Sequence, residues 1–272
     1  MLGEFDCELY NKYNRMVYYH VEPYLLKYGS LLKWKPKETI VDVGCGTGST
    51  TYDLIYPLIP RDYSQLICTD ASEKMLYEAK KKFAGVPKVT FELFDITGRL
   101  KNSWIGAFDH VFSSFCLMWI ADQEKAFSNI YQMLSPGGGC FLIITKIHAF
   151  KSTMYELLEK PKWKKFLPNP DDIYVMPYKN DPNPTETILQ MMKKIGFVNV
   201  QVNVEESDFK FDSEEEFLGL FRSFPNPMDL MTEEEQQDYL DDAVEIAYAN
   251  NLIGEANEDD VTGTILVVYG EK

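Results

Sequence analysis

Glycine alternates with small residues in Gly44-Cys45-Gly46-Thr47-Gly48, directly behind the β-branched run Thr39-Ile40-Val41-Asp42-Val43. A strand that runs through such a loop into a helix leaves backbone amides and a helix N-terminus facing the carboxyl edge of a parallel sheet. Ligands of doubly wound folds bind at that edge. The GxGxG spacing alone suits a dinucleotide, S-adenosylmethionine or a tight strand-helix turn. A second group, Asp70, ends the run Leu66-Ile67-Cys68-Thr69 and precedes Ala71 and Ser72. Its carboxylate can accept both hydroxyl hydrogens of a ribose, or support the N-terminus of a helix beginning near Ser72. A third group, Asp95 with Ile96, follows Phe91-Glu92-Leu93-Phe94 and can bond an adenine amino group while flanking its ring. Position 49 is Ser rather than part of a GxGxxG fingerprint, and no second mononucleotide half follows, which speaks against a nicotinamide dinucleotide.

These groups meet only if the elements behind them form one sheet. Strand-like runs at 39–44, 65–70, 89–95, 108–115 and 140–145 alternate with helical patterns beginning at 49, 72, 123 and 185, and two further strands are expected at 198–207 and 264–271. Alternation of this kind predicts an α/β, doubly wound, mostly parallel sheet of these seven strands. The first five runs are apolar on both faces, as strands covered twice must be. Ser72 and Thr185 read as helix N-caps, Gly196 as a C-terminal glycine, and Leu134 to Gly139 as a loop. Segments of about 146–184 and 210–262 exceed what such a sheet needs and are rich in Phe, Leu and Met, so helical cap insertions are expected there. Together with an N-terminal helical lid at about 1–35 they complete a single domain over 1–272.

The 272 residues are 45% hydrophobic and carry a net charge of −15, which opposes binding to nucleic acid. No apolar run reaches the roughly 18 to 20 residues needed to span a bilayer. The first residues lack the layout of a signal peptide, so a cytoplasmic protein is expected. Five cysteines form no CxxC pair and three scattered histidines form no metal spacing, so no metal site is expected.

The ordered set VDVGCGTGS, TDAS, FDI, FDHVFSSFCLMWI and LSPGGGCFLIIT resembles the class I S-adenosylmethionine-dependent methyltransferases. ELYNKYN, KWKP, LMWIADQEKAFSNIYQML and MMKKIGFVNVQV are similar to the insect juvenile hormone acid O-methyltransferases. The resemblance implies a Rossmann-like sheet with an antiparallel last strand and S-adenosyl-L-methionine as cofactor. It implies cofactor contacts from Asp42, Gly44, Cys45, Gly46, Gly48, Asp70, Ala71, Asp95, Ile96, Ser113 and Phe115. Gly44 to Gly48 would lie beneath the methionyl part, with Asp70 at the ribose, Asp95-Ile96 at the adenine, and Ser113 and Phe115 facing the methionine. Tyr13, Val17, Met118 and Trp119 are the implied substrate residues, Trp119 acting by positioning with no general base, while Tyr10 and Asn14 are further candidates to close over the cofactor. The chain departs from the family in having Met118 where the family has His, and Val17 where it has Gln. The implied reaction is methyl transfer to the carboxylate of a small lipophilic acid such as juvenile hormone acid or farnesoic acid, by a monomer or homodimer. A phenol or amine acceptor, or a cofactor-binding relative without catalysis, are the alternatives.

Overall fold

The β-branched and aromatic runs do form one sheet. The computed structural model describes residues 4–167, 169–255 and 260–272. Its strands are β1 (Thr39–Val43), β2 (Gln65–Asp70), β3 (Val89–Leu93), β4 (Phe108–Ser114), β5 (Leu134–His148), β6 (Val198–Ser207) and β7 (Gly263–Glu271), in the order β3-β2-β1-β4-β5-β7-β6. β1 to β5 run parallel to one another, and β7 is antiparallel to both β5 and β6. Asp42 is level with Cys68 on one side and Phe112 on the other, and Cys68 is level with Phe91. That register puts the loops after Val43, Asp70, Leu93 and Ser114 at a single edge.

Helices cover both faces: α1 (Cys7–Tyr13), α2 (Arg15–Tyr28), α3 (Glu73–Lys82), α4 (Gln123–Met133), α5 (Ala149–Glu159), α6 (Pro161–Lys164), α7 (Pro184–Ile195), α8 (Glu214–Ser223) and α9 (Glu233–Ala249). Ser72 caps α3 by accepting the N–H of Met75, as its position predicts. The cap of α7 is Asn183 rather than Thr185, because Pro184 occupies the first helical position, where a missing N–H costs nothing. Gly196 ends that helix with φ of +122°.

Two further expectations change. β3 is an edge strand in which no residue is fully buried, so it is not covered on both faces. The segment from Leu134 to Gly139 is extended and belongs to β5: Leu134 pairs with Phe108, and a register shift before His110 absorbs the proline and glycines as a bulge.

Two hydrophobic clusters result. One lies about the sheet and includes Ile40, Leu66, Phe112, Phe141 and Val267. The other is built from residues of α5, α8, α9 and their connections, including Phe150, Trp163, Phe211, Phe217 and Tyr239. Tyr10 and Trp119 pack against both clusters, which locates the seam between them. Of the segments expected to be lid and caps, residues 1–3, 168 and 256–259 lie outside the described residues.

Candidate active site

The floor of the site is the glycine loop, and its three glycines are there for different reasons. The N–H groups of Gly44 and Cys45 both donate to the Thr69 carbonyl, at 2.8 and 2.9 Å, which folds the chain back over the end of β2. At Gly44, φ is +73° and a Cβ would stand 2.2 Å from Cys116 Sγ. At Gly48, φ is +75° and a Cβ would meet Ala79 of α3 at 3.0 Å. At Gly46, φ is +57° and a Cβ would meet nothing within 4 Å. Gly46 alone of the three has open space beside it, and with Gly44 it lines a cavity of about 360 Å³ at the carboxyl edge of the sheet.

Acids line one end of the cavity. Asp70 Oδ2 accepts the N–H of Gly46 and its Oδ1 the N–H of Ser72, each at 2.9 Å. Burial pushes the Asp70 carboxyl up, and those backbone donors pull it back. Asp42 is buried at the end of β1, where Thr51 Oγ1 donates to its Oδ2 at 2.5 Å. Its carboxyl is pushed up to about 7, by burial first and by the charge of Asp70 as well, against the Thr51 bond. Asp95 Oδ1 accepts both the N–H and the hydroxyl of Thr97 at 2.8 Å. The neighbouring Ile96 is fixed through its carbonyl by Asn129 Nδ2 at 2.6 Å, from α4.

The other end is apolar. Trp119 packs edge-on to Phe5 with ring centroids 5.9 Å apart, and Phe224 lies 5.6 Å from Trp119 and 5.0 Å from Phe5. Tyr10, Met16, Val17, Met118 and Ile120 complete this wall. Behind it Lys151 is buried, with Nζ 3.9 Å from the centre of the Trp119 ring. Loss of hydration pushes its ammonium down to about 7.

Of the residues expected from the sequence, the cavity brings together Asp42, Gly44, Cys45, Gly46, Asp70, Ala71, Asp95, Ile96, Phe115, Val17, Met118 and Trp119. It does not reach Ser113, Gly48 or Tyr13. Ser113 points into the sheet and donates to the Val43 carbonyl at 2.8 Å, so alternation along β4 exposes Ser114 instead. Phe115, at φ of +56°, ends that alternation, and Ser114, Phe115 and Cys116 follow one another along the wall. Gly48 serves the contact with α3. Tyr13 lies over Gly219 of α8, and its hydroxyl donates to Glu215 at 2.9 Å. Of the further candidates from α1, Tyr10 lines the cavity and the buried Asn14 does not. Phe5, Met16, Phe224, Asn129 and Lys151 went unnoticed in the sequence. The only signal was the aromatic density of Phe217 to Phe224 and of Phe5 to Tyr13, which is equally a packing signal.

A parallel sheet with this strand order, a glycine loop after β1 and acids after β2 and β3 define the class I methyltransferase fold, and residues 41–142 match the family described as a methyltransferase domain. The chain is an S-adenosylmethionine-dependent methyltransferase. Over nearly its whole length it is similar to the juvenile hormone acid O-methyltransferase of Bombyx mori, at 29% identity covering 98% of this chain and 97% of that one. Similarity to the protein of that name from Drosophila melanogaster is 28%, covering 93% of this chain and 86% of the other. Among solved structures, an S-adenosylmethionine-dependent methyltransferase from Mesorhizobium loti superposes with a TM-score of 0.52 at 19% identity, covering 92% of this chain and 97% of that one. Phosphoethanolamine N-methyltransferase 2 of Haemonchus contortus, in complex with S-adenosyl-L-methionine, gives 0.54 at 20% identity. The match covers 91% of this chain, which spans about half (51%) of that one.

Proposed function

We propose that the protein is an O-methyltransferase that esterifies the carboxylate of a small lipophilic acid, of the juvenile hormone acid or farnesoic acid type. The observation that carries this reading is the polarity of the cavity. Gly46, Asp70 and Asp95 line one end, Phe5, Val17, Met118, Trp119 and Phe224 the other, and no histidine is among the described lining residues. Two near full-length relatives that carry the name juvenile hormone acid O-methyltransferase support the same acceptor class.

The loop fits the cofactor. Gly46 lines the cavity that an adenosyl ligand would use, and a Cβ there would meet nothing within 4 Å. Asp70 accepts one N–H on each oxygen and keeps further lone pairs for ribose hydroxyls. Asp95 keeps Oδ2 for an adenine amino group. In this reading Asp42, Gly44, Cys45, Ala71, Ile96 and Phe115 complete the donor site, with Ser114 in the place expected of Ser113. The bound cofactor supplies a methyl group already activated by its sulfonium.

A carboxylic acid is ionised at neutral pH, so the chain has no proton to remove. Its task is to hold the acceptor oxygen in line and to exclude water. The aromatic wall suits both roles, and Trp119 Nε1–H is the donor that would hold a carboxylate oxygen there. In this single-domain reading the N-terminal segment of about 1–35 is the lid, from which Phe5, Tyr10, Met16 and Val17 line the cavity, and the 146–184 and 210–262 segments are the cap.

A second reading keeps the donor and changes the acceptor to a phenol or amine. The apolar Val17 and Met118, standing where the similar family has Gln and His, favour it. Transfer of labelled methyl from S-adenosylmethionine separates the readings. A base-labile ester on farnesoic or juvenile hormone acid supports the first, and a base-stable product on a phenol or amine supports the second. Cofactor binding without transfer to any of these would leave a binding protein.

A further inference from the structure

We infer that Lys151 is a positioning residue that selects an anionic acceptor, by holding Trp119 in place and setting a positive charge behind its ring. The inference rests on the carboxylate reading above. Lys151 lies in the first turn of α5 and is 4% exposed. Its Nζ donates to the Met118 carbonyl at 3.2 Å and to the Val175 carbonyl, and lies over the Trp119 ring. One ammonium therefore joins α5, the Leu117–Trp119 turn and the connection before α7.

Among the described residues no carboxylate lies within ion-pair distance of Lys151. A buried ammonium without an anion is costly, and an apolar side chain would fill the same place without that cost. With its ammonium pushed down to about 7, Lys151 would cross-link the three segments in its neutral form as well. A ligand carboxylate beyond the Trp119 ring would supply the missing negative charge and hold the ammonium form.

The placement suits such a ligand. Met118 and Trp119 line the cavity and Lys151 does not, so the ammonium acts through the wall. A cation over an indole face is held by the ring quadrupole and fixes the plane of the ring. Its field also adds to the positive end of the Nε1–H dipole, making that group a stronger donor toward a carboxylate in a poorly hydrated site.

The test compares the affinities of a farnesoid acid and its neutral primary amide for protein saturated with S-adenosylhomocysteine, by calorimetry. The wild type is expected to prefer the acid by roughly tenfold or more, the scale of a charge acting across several ångströms of partly desolvated protein. Lys151→Gln keeps N–H donors for the Met118 and Val175 carbonyls but carries no charge. It is expected to cut the preference to within about threefold, leaving amide and S-adenosylhomocysteine affinities within about twofold of wild type. Lys151→Arg is expected to retain the preference. A Gln variant that keeps the preference, or that weakens acid and amide alike, overturns the inference. If the Gln variant does not fold, the Arg variant decides, since a folded protein that keeps the charge and loses the preference is equally fatal. Absence of any acid preference in the wild type instead refutes the carboxylate reading, and this inference with it.

Discussion

Replacing Gly44 and Gly46 by alanine separates what each residue does. Both sit in the left-handed region, at φ of +73° and +57°, so either alanine costs about 1–2 kcal/mol in backbone strain. For Gly46→Ala nothing is added, because its Cβ would meet no atom within 4 Å. Its melting temperature is expected to fall by a few degrees, about 2–4 °C per kcal/mol in a large domain. Cofactor affinity is expected to fall by about tenfold or more, because the new methyl occupies the cradle. For Gly44→Ala the Cβ would stand 2.2 Å from Cys116 Sγ and 2.4 Å from Cys116 Cβ. Overpacking of that kind adds about 1–3 kcal/mol. Cys116→Ala does not relieve the clash, since the Cβ remains. Cys116→Gly does, because the Cα lies 3.7 Å away, so adding it to Gly44→Ala is expected to recover stability in a double-mutant cycle. Circular dichroism on heating and calorimetric titration with S-adenosylhomocysteine give both readouts. The reasoning is refuted if Gly44→Ala is no less stable than Gly46→Ala, or if Gly46→Ala binds the cofactor as tightly as wild type.

Other perturbations follow from the same contacts. Asp70→Ala is expected to weaken cofactor binding by about tenfold or more, since a charge-assisted pair of hydrogen bonds is lost; unchanged affinity by calorimetry refutes the ribose assignment. Phe224→Ala removes a ring that touches Phe5, Tyr10, Trp119 and Phe150, and unfolding in urea is expected to show a loss of about 3–5 kcal/mol. His148 is buried beside His20, its Nε2 has no partner among the described residues, and burial holds its pKa well below the usual value of 6.5. The unfolded chain therefore binds the extra proton first, and the stability present above pH 6.5 is lost below it, by about 1.4 kcal/mol per pH unit. His148→Asn keeps an acceptor for the Phe150 N–H and does not titrate, so urea unfolding between pH 7 and 5 is expected to show a flatter slope in the variant. Asp42, pushed up to about 7, acts in the opposite direction in both proteins and cancels in the comparison.

The strands, the Ser72 cap and the two acids Asp70 and Asp95 could be read locally because each rests on a short-range rule. Alternating apolar runs become strands, and Ser72 caps the helix it precedes. Local reading went wrong where a neighbour in space decided. Ser113 and Ser114 have the same chemistry, and only their places along β4 determine which faces the cavity. Thr185 lost the cap to Asn183 because the proline between them suits the first helical position. The PGGG segment joins β5 because Phe108 supplies a strand partner for Leu134.

The sequence by itself determined the polar side of the cavity. The glycine loop, Asp70 and Asp95-Ile96 each follow a strand in a βα repeat, and right-handed parallel winding brings such strand ends to one edge. The tertiary structure alone decided the apolar side. Phe5, Trp119, Lys151 and Phe224 come from four distant parts of the chain, and no period or spacing relates them. They meet because the helices outside the sheet must bury a second apolar cluster against it, and the seam between the two cores is where the wall forms. Even in the glycine loop, whose motif is legible in one line, only the packing shows that Gly44 makes room for Cys116, Gly48 for Ala79, and Gly46 for open space.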